Sequence, residues 1–83
     1  MNDEYWQVRL KAAESLGQLR DPKAVPALGA ALDHPISNLR KEATAALGEI
    51  GHPEALPYLA RHAEDADPDV RKLNRWAVLQ IRK

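Results

Sequence analysis

The stretch of sequence that decides the fold is VRLKAAESLGQLRDPKAVPAL, residues 8–28. A shift of 31 positions lays it over LRKEATAALGEIGHPEALPYL, residues 39–59, with eight identities among the 21 aligned positions. A third copy starts at Val70 and runs through Ile81. Self-similarity at such a period is the signature of stacked supersecondary units, each burying its apolar face against the next.

Each copy is predicted to form two helices. The apolar residues of its first half recur every three or four positions, as on one face of an α-helix. In the first copy they are Val8, Ala12, Leu16 and Leu19. The second half opens with Asp21-Pro22, a good N-cap followed by proline at the first helical position, and His52-Pro53 repeats this with a poorer cap. We predict helices over 5–19, 22–32, 37–50, 53–64 and 68–82.

Short loops determine how these helices are arranged. The predicted loops hold only about two to four residues, so consecutive helices must be antiparallel neighbours. The predicted fold class is therefore all-α, an α-solenoid of five helices in a single domain over 1–83. Its repeats span 2–32 and 33–63, and a half repeat spans 64–83. Pro26 and Pro57 fall about one turn into the second helices, where we expect a bend or a loosened first turn.

Composition excludes several classes of function. The 83 residues include 12 basic and 12 acidic side chains, and zero net charge disfavours a dedicated nucleic-acid binder, which must neutralise phosphates. There is no cysteine, and therefore no disulfide, thiolate nucleophile or cysteine zinc site. The polar N-terminal residues and the lack of a long apolar run lead us to expect a soluble, cytoplasmic protein.

Neither a metal site nor a cofactor site is expected. The three histidines are His34, His52 and His62. Equivalent positions in stacked repeats lie about 8–10 Å apart, whereas the ligands of one zinc ion each lie about 2 Å from it. The acidic cluster at 64–69 lacks the spacing of an EF-hand loop and directly precedes a helix, where acids favour the helix dipole. No nucleophile–base arrangement is visible, so we expect no enzyme activity.

The repeated pattern VRxxAAxxLGxLxDPxAVPxL of residues 8–28 resembles HEAT repeats, and more narrowly the short HEAT-like subtype of phycobilisome lyases. About two and a half such repeats cover nearly the whole chain. The resemblance implies an open right-handed stack that usually binds partners on a concave surface lined by the second helices. It implies little about function, because the repeat occurs in scaffolds, lyase subunits and nucleic-acid enzymes alike. The His-Glu pairs of di-iron HEAT hydroxylases are missing from the sequence.

Two groups of residues are candidates for contacts. On the second helix of the second repeat, Tyr58, Arg61 and His62 are expected to point outward, either as a contact patch or as a solvated face. Arg9, Arg40 and Arg71 share one repeat position. They could bind anions, or each could pair with an acid or carbonyl at the turn between repeats and hold the register, as the family pattern favours.

The third copy has a first helix only, and its pattern changes. Asn74 and Arg75 replace small residues of the earlier copies, which predicts a face that no other helix of this chain covers. Trp76 falls at an outward position, where tryptophan is a typical interface anchor, and Trp6 has a similar part at the other end. Three explanations compete: the chain pairs with itself or with a larger partner through its open C-terminal end, it is a piece of a longer solenoid, or Asn74, Arg75 and Trp76 fold back as a cap on a monomer. We favour the first.

The predicted function is therefore a non-catalytic protein-interaction module, a small scaffold or regulatory subunit. One alternative is an accessory subunit of a bilin lyase-like enzyme, with a tetrapyrrole on the concave face. A second alternative is a nucleic-acid-binding HEAT fragment, since the last helix is basic and bears Trp76. No membrane partner is expected.

Overall fold

The computed structural model describes residues 6–83, apart from the side chains of residues 6, 7, 9, 10, 13, 14 and 16. Within this part the chain forms helices and turns, without a strand. The α-helices are α1 (Trp6–Leu19), α2 (Val25–Ala31), α3 (Ser37–Ile50), α4 (Leu56–Arg61) and α5 (Pro68–Arg82). The prediction of an all-α solenoid with five helices is confirmed.

The helices form two layers. In the first layer α1 packs beside α3, and α3 packs beside α5. In the second layer α2 packs mainly on α3, and α4 packs on α5. The apolar face predicted for α3 is buried by this arrangement, since Leu39, Ala43 and Leu47 are each at most 1% exposed. Small and branched aliphatic side chains therefore build a continuous core between the layers.

Both second-layer helices begin with a tighter turn. Pro22–Ala24 and Pro53–Ala55 form 3-10 helices directly before α2 and α4. Pro26 and Pro57 consequently lie in the first turn of each α-helix, where a backbone N–H has no intrahelical partner to lose. The loosened first turn expected from these prolines is present, and it removes the hydrogen-bond cost that proline has inside a helix.

A side-chain cap recurs at these 3-10 helices with two different residue types. Asp21 Oδ1 accepts a hydrogen bond from the N–H of Lys23 at 2.9 Å. One repeat later His52 Nδ1 accepts from the N–H of Glu54 at 3.1 Å. The second bond requires a neutral imidazole with its proton on Nε2, and His52 then fills the place of the aspartate.

Glycines set the distance between the first-layer helices. A Cβ built on Gly17 would lie 2.8 Å from Ala46 Cβ, and one built on Gly48 would lie 3.0 Å from Ala77 Cα. The first distance is shorter than real Cβ atoms show, and the second is tighter than nine in ten real Cβ contacts. The two pairs are one repeat apart, so the same close contact joins α1 to α3 and α3 to α5.

The predicted core face of α1 is wrong for the residues whose side chains are described. Val8 is 65% exposed and Leu19 is 74% exposed, and Ala12 is exposed as well. The equivalent residues of α3 lie under α2, whereas α2 packs mainly on α3 and not on α1. The helix period was therefore right, but periodicity alone does not show which helix covers a face.

Asn74 was expected to mark an uncovered face, and this is wrong. It is 4% exposed, and its Nδ2 donates to the carbonyl oxygen of Leu59 at 2.8 Å. The same carbonyl accepts from the N–H of His62 at 3.1 Å, so the bond that Ala63 would make in a longer helix is replaced. The α-helix α4 ends at Arg61, three residues before the predicted boundary.

The close contact at Gly48 leads to the first prediction. Gly48→Ala is expected to lower the free energy of unfolding by about 1–2 kcal/mol, because the added methyl overpacks the contact with α5. Helix propensity alone would raise stability by about 1 kcal/mol. The measurement is urea unfolding followed by circular dichroism.

Leu79→Ala is the matched control, because Leu79 holds the equivalent position on α5 and is 65% exposed. Its effect should stay within about 0.5 kcal/mol. A Gly48→Ala variant as stable as the wild type would contradict the proposed role of this glycine.

Candidate functional site

An open groove lies between the second-layer helices α2 and α4. Its volume is about 430 Å³. It is lined by Val25, Pro26, Glu54, Pro57, Tyr58 and Arg61. Val25 is buried at its floor, while the two prolines and both charged residues are exposed. The groove therefore offers apolar surface together with one charge of each sign.

Tyr58 has a fixed place in this groove. It is half-buried, and its ring lies so close to Gly29 that a Cβ at that position would overlap it. The ring rests on the backbone of α2 and crosses from one repeat to the other. Its orientation is therefore set before any partner arrives.

The structure divides the patch predicted on α4. Tyr58 and Arg61 line the groove, whereas His62 does not. His62 is half-buried, and its Nε2 lies 3.1 Å from Oδ1 of Asp33. It links the end of α4 to the turn that follows α2. Sequence reasoning placed Glu54 among the outward residues of this helix but missed Val25, Pro26 and Pro57 as lining residues, although the recurrence of the two prolines was a visible signal.

Arg40 binds the turn between the repeats on two sides. Its Nη1 donates to the carbonyl oxygens of His34 at 3.0 Å and Pro35 at 2.9 Å. Its Nε and Nη2 donate to the two carboxylate oxygens of Asp65 at 2.9 and 3.1 Å. The guanidinium thus joins the turn before α3 to the turn before α5.

Arg71 repeats half of this arrangement. Its Nη1 donates to the carbonyl oxygens of Asp65 at 2.7 Å and Ala66 at 3.3 Å. These acceptors lie six and five residues before the arginine, as they do for Arg40. The side chain of Arg9, the first member of the predicted row, lies outside the described residues.

Asp65 connects these groups and carries a shifted pKa. Burial disfavours its charged form and raises the pKa, but hydrogen bonds from Arg40 and from the N–H of Asp67 lower it, as do the charges of Arg40 and His62. The net result is a pKa below the ordinary value for aspartate. The side chain is only 6% exposed, so the charged form of this carboxylate is stabilised by its hydrogen-bond partners and nearby charges, and little by water.

The exposed residues of α5 share one face of that helix. The outer face between Lys72 and the end of the chain is here named the α5 stripe. It consists of Lys72, Arg75, Trp76, Leu79, Arg82 and Lys83. At 3.6 residues per turn these six positions fall within an arc of about 120°. Of the predicted contacts, Arg75 and Trp76 lie here, and the side chain of Trp6 lies outside the described residues.

Trp76 is partly packed and partly free. It is 39% exposed, and its ring edge lies against Gly48 of α3. Leu79, one turn further on, is 65% exposed. The stripe therefore has an apolar middle that α3 supports from one side.

Two further findings concern the part of the chain that the structure describes. No three side chains of His, Asp or Glu come close enough together there to hold a metal ion. Over the same residues, each helix is too short or too polar to cross a bilayer.

The bidentate geometry of Arg40 leads to the second prediction. Arg40→Lys is expected to lower the free energy of unfolding by about 2 kcal/mol, since an ammonium cannot bind Asp65 through two parallel bonds and reach two carbonyls as well. Urea unfolding is the measurement. Arg75→Lys, at an exposed position, is the control and should change stability by less than about 0.5 kcal/mol. Equal effects of both substitutions would contradict this account.

The third prediction concerns pH and Asp65. Its pKa is lowered in the folded state, so its carboxylate stabilises the fold above the unfolded value of about 3.9 and loses this effect as the pH falls through the folded value. The stability difference between wild type and Asp65→Asn should therefore be largest near neutral pH and shrink below about pH 4. Unfolding curves of both proteins across this range measure it. A difference that grows on acidification would have the wrong sign.

Comparison with known proteins places this geometry in a family. A family model described as HEAT repeats matches residues 1–79. The solved structure of human deoxyhypusine hydroxylase in complex with glycerol superposes with a TM-score of 0.82 at 36% sequence identity, over 89% of this chain and 26% of that chain. This chain thus matches about a quarter of that hydroxylase. A search of curated proteins gave no match.

The family match spans nearly all of the repeats found above, and the superposition adds the same arrangement of helices. The chain belongs to the HEAT-repeat family.

Proposed function

We propose that this chain is a non-catalytic protein-binding module, a small scaffold or regulatory subunit that acts in the cytoplasm. Its contact surface is the groove between α2 and α4. The observation that carries the proposal is the Tyr58 ring, which rests on Gly29 and faces an open groove beside Arg61. HEAT repeats in general mediate protein–protein contacts, which supports this choice.

The residues of the groove suit a protein partner. Tyrosine and arginine are enriched among the residues that dominate binding energy at interfaces. Pro26 and Pro57 restrict the backbone of the rim, and Gly29 restricts the Tyr58 ring. A surface that is ordered in advance loses less conformational entropy on binding. Glu54 and Arg61 supply one charge of each sign at the rim, which can orient a partner.

The histidines support a non-catalytic reading. His34 Nδ1 accepts from the N–H of Ile36 at 3.1 Å, His52 Nδ1 accepts from the N–H of Glu54 at 3.1 Å, and His62 contacts Asp33. Each ring thus makes a contact at a turn or helix end. The match to the human hydroxylase covers 26% of that chain, so its activity is not carried over.

The phycobilisome-lyase subtype suggests a different use of the same groove. An accessory lyase subunit would hold a tetrapyrrole there and would need a second, unlike subunit for activity. Under our proposal, adding a bilin to the chain leaves the visible spectrum of the bilin unchanged. A shifted or sharpened bilin band would favour the lyase alternative.

The fourth prediction tests the groove directly. Affinity capture from nuclease-treated lysate of the source organism should enrich a discrete protein, and Tyr58→Ala should weaken the purified complex by about tenfold or more, as expected for loss of an aromatic anchor. The measurement is a titration with the captured partner by isothermal calorimetry. Circular dichroism of the variant shows whether the fold is kept.

Two matched variants sharpen this test. Tyr58→Phe keeps the ring on Gly29 and should retain most of the affinity. Arg61→Glu should weaken binding more than Arg20→Glu, since both reverse one exposed arginine but only Arg61 lines the groove. A partner whose affinity ignores both Tyr58→Ala and Arg61→Glu would overturn the assignment of this groove.

A further inference from the structure

The α5 stripe carries a concentration of charge that the net charge of the chain conceals. Residues 70–83 contain five basic residues and no acid. Because the whole chain has 12 of each, residues 1–69 contain seven basic residues against 12 acids. The chain is therefore strongly dipolar, and four of the five cations of this segment belong to the stripe. They are Lys72, Arg75, Arg82 and Lys83.

The cations of the stripe form no ion pairs with carboxylates in the described part of the chain. Within the described part of the chain, Lys72, Arg75 and Arg82 have no carboxylate in contact, and Lys83 donates to the side chain of Gln80 at 3.0 Å. The neighbouring cations on other faces do have partners. Lys41 lies 3.8 and 3.4 Å from the carboxylates of Asp67 and Asp69. The stripe thus holds charge that the fold itself does not neutralise.

The α5 stripe also lacks the glycine that allows close packing between the other first-layer helices. Gly17 and Gly48 admit the next first-layer helix, but Leu79 stands at the equivalent position of α5. Arg75 likewise stands where Thr44 is fully buried. A further helix cannot approach α5 as closely as α5 approaches α3, because a large side chain now occupies the contact. This face is therefore shaped for something other than another identical repeat.

We propose that the α5 stripe binds an acidic amphipathic helix of a partner protein. Apolar side chains of that helix would cover Trp76 and Leu79, and its carboxylates would pair with Lys72, Arg75 and Arg82. The stripe runs over twelve residues, or about 16 Å, which matches a partner helix of about three turns. The inference rests on the proposed function and adds to it a second surface and the chemistry of its partner.

The arrangement of the stripe favours a protein over a nucleic acid. Along the axis of α5, Trp76 and Leu79 lie in the middle, with Lys72 towards one end and Arg82 at the other. An apolar centre with a charged periphery is the anatomy of a protein–protein interface. Leu79 has no counterpart in phosphate binding, where cations follow the backbone and bases stack on aromatic rings.

Charge also argues against symmetric self-association through this end of the molecule. In a two-fold dimer the same patch meets itself. Two α5 stripes would then bring like charges together, which costs free energy at an interface. A partner of opposite charge removes that cost and gains from pairing.

The fifth prediction uses a display library of random 16-residue peptides selected on the full chain. Enriched peptides should be rich in Asp and Glu, with apolar residues spaced three and four apart. Fluorescence anisotropy with the synthesised peptides should show affinity at least about tenfold weaker for Lys72→Glu/Arg75→Glu. Leu79→Ser should weaken binding several-fold, whereas Tyr58→Ala should leave it unchanged. Peptides with Glu exchanged for Lys should regain affinity for the charge-reversed variant.

The possible results separate the two proposals. Peptides that lose affinity with Tyr58→Ala but not with charge reversal would support the groove and overturn the stripe. Selection that yields no binding peptide would overturn the stripe alone, because the groove is tested separately by the captured partner and Tyr58→Ala. A labelled 20-residue oligothymidine that binds more tightly than any peptide, and is released by the same charge reversal, would overturn the protein partner in favour of single-stranded nucleic acid. Circular dichroism of each variant confirms that it is folded.

Discussion

The close contact between first-layer helices is the constraint on which the rest of the structure depends. Gly17 against Ala46 and Gly48 against Ala77 bring successive helices to the same short separation, one repeat apart. That step also sets the distance between α2 and α4, which pack on α3 and α5. The width of the groove, and the seat of the Tyr58 ring on Gly29, follow from it. A binding surface on the second layer is thus determined by packing in the first.

A second constraint holds the turns between repeats. Arg40 and Arg71 each bind two carbonyl oxygens of the turn that precedes their own helix. Arg40 in addition reaches forward to Asp65, whose Oδ1 also accepts from the N–H of Asp67 at 2.9 Å. His34 occupies the same repeat position as Asp65, and its Nδ1 makes the equivalent hydrogen bond with the N–H of Ile36. This repeat position therefore requires a side-chain hydrogen-bond acceptor for the backbone N–H two residues later. A carboxylate and an imidazole both meet that requirement.

Most of the fold could be predicted from the sequence, because local sequence patterns determine it. These patterns are the period of 31 residues, the helical spacing of apolar residues, and proline directly after an N-cap residue. The errors concern contacts between distant segments. Val8 and Leu19 have the right spacing for a core, but burial depends on which helix α2 covers. Asn74 looked like a surface residue because it is polar, and only the position of Leu59 shows that its amide is satisfied inside. The helical spacing of the sequence indicates that Tyr58 and Arg61 face outward, but it does not indicate a groove, because Val25 joins them only when the layers pack.

The groove is formed by residues that follow the repeat pattern, whereas the α5 stripe is formed by residues that depart from it. The groove lies between two helices that follow the repeat pattern, and its charges balance, because both Glu54 and Arg61 line it. The stripe lies where the repeat is broken, with Leu79 in the place of a glycine and Arg75 in the place of a buried threonine. Each of these replacements would be costly at a stacking contact, since a leucine overlaps the neighbouring helix and a buried arginine needs a partner. On an outer face the same two residues cost little and provide apolar area and charge. A small solenoid can therefore gain a second, chemically different surface by changing a few residues on one helix, without altering the packing that holds the first.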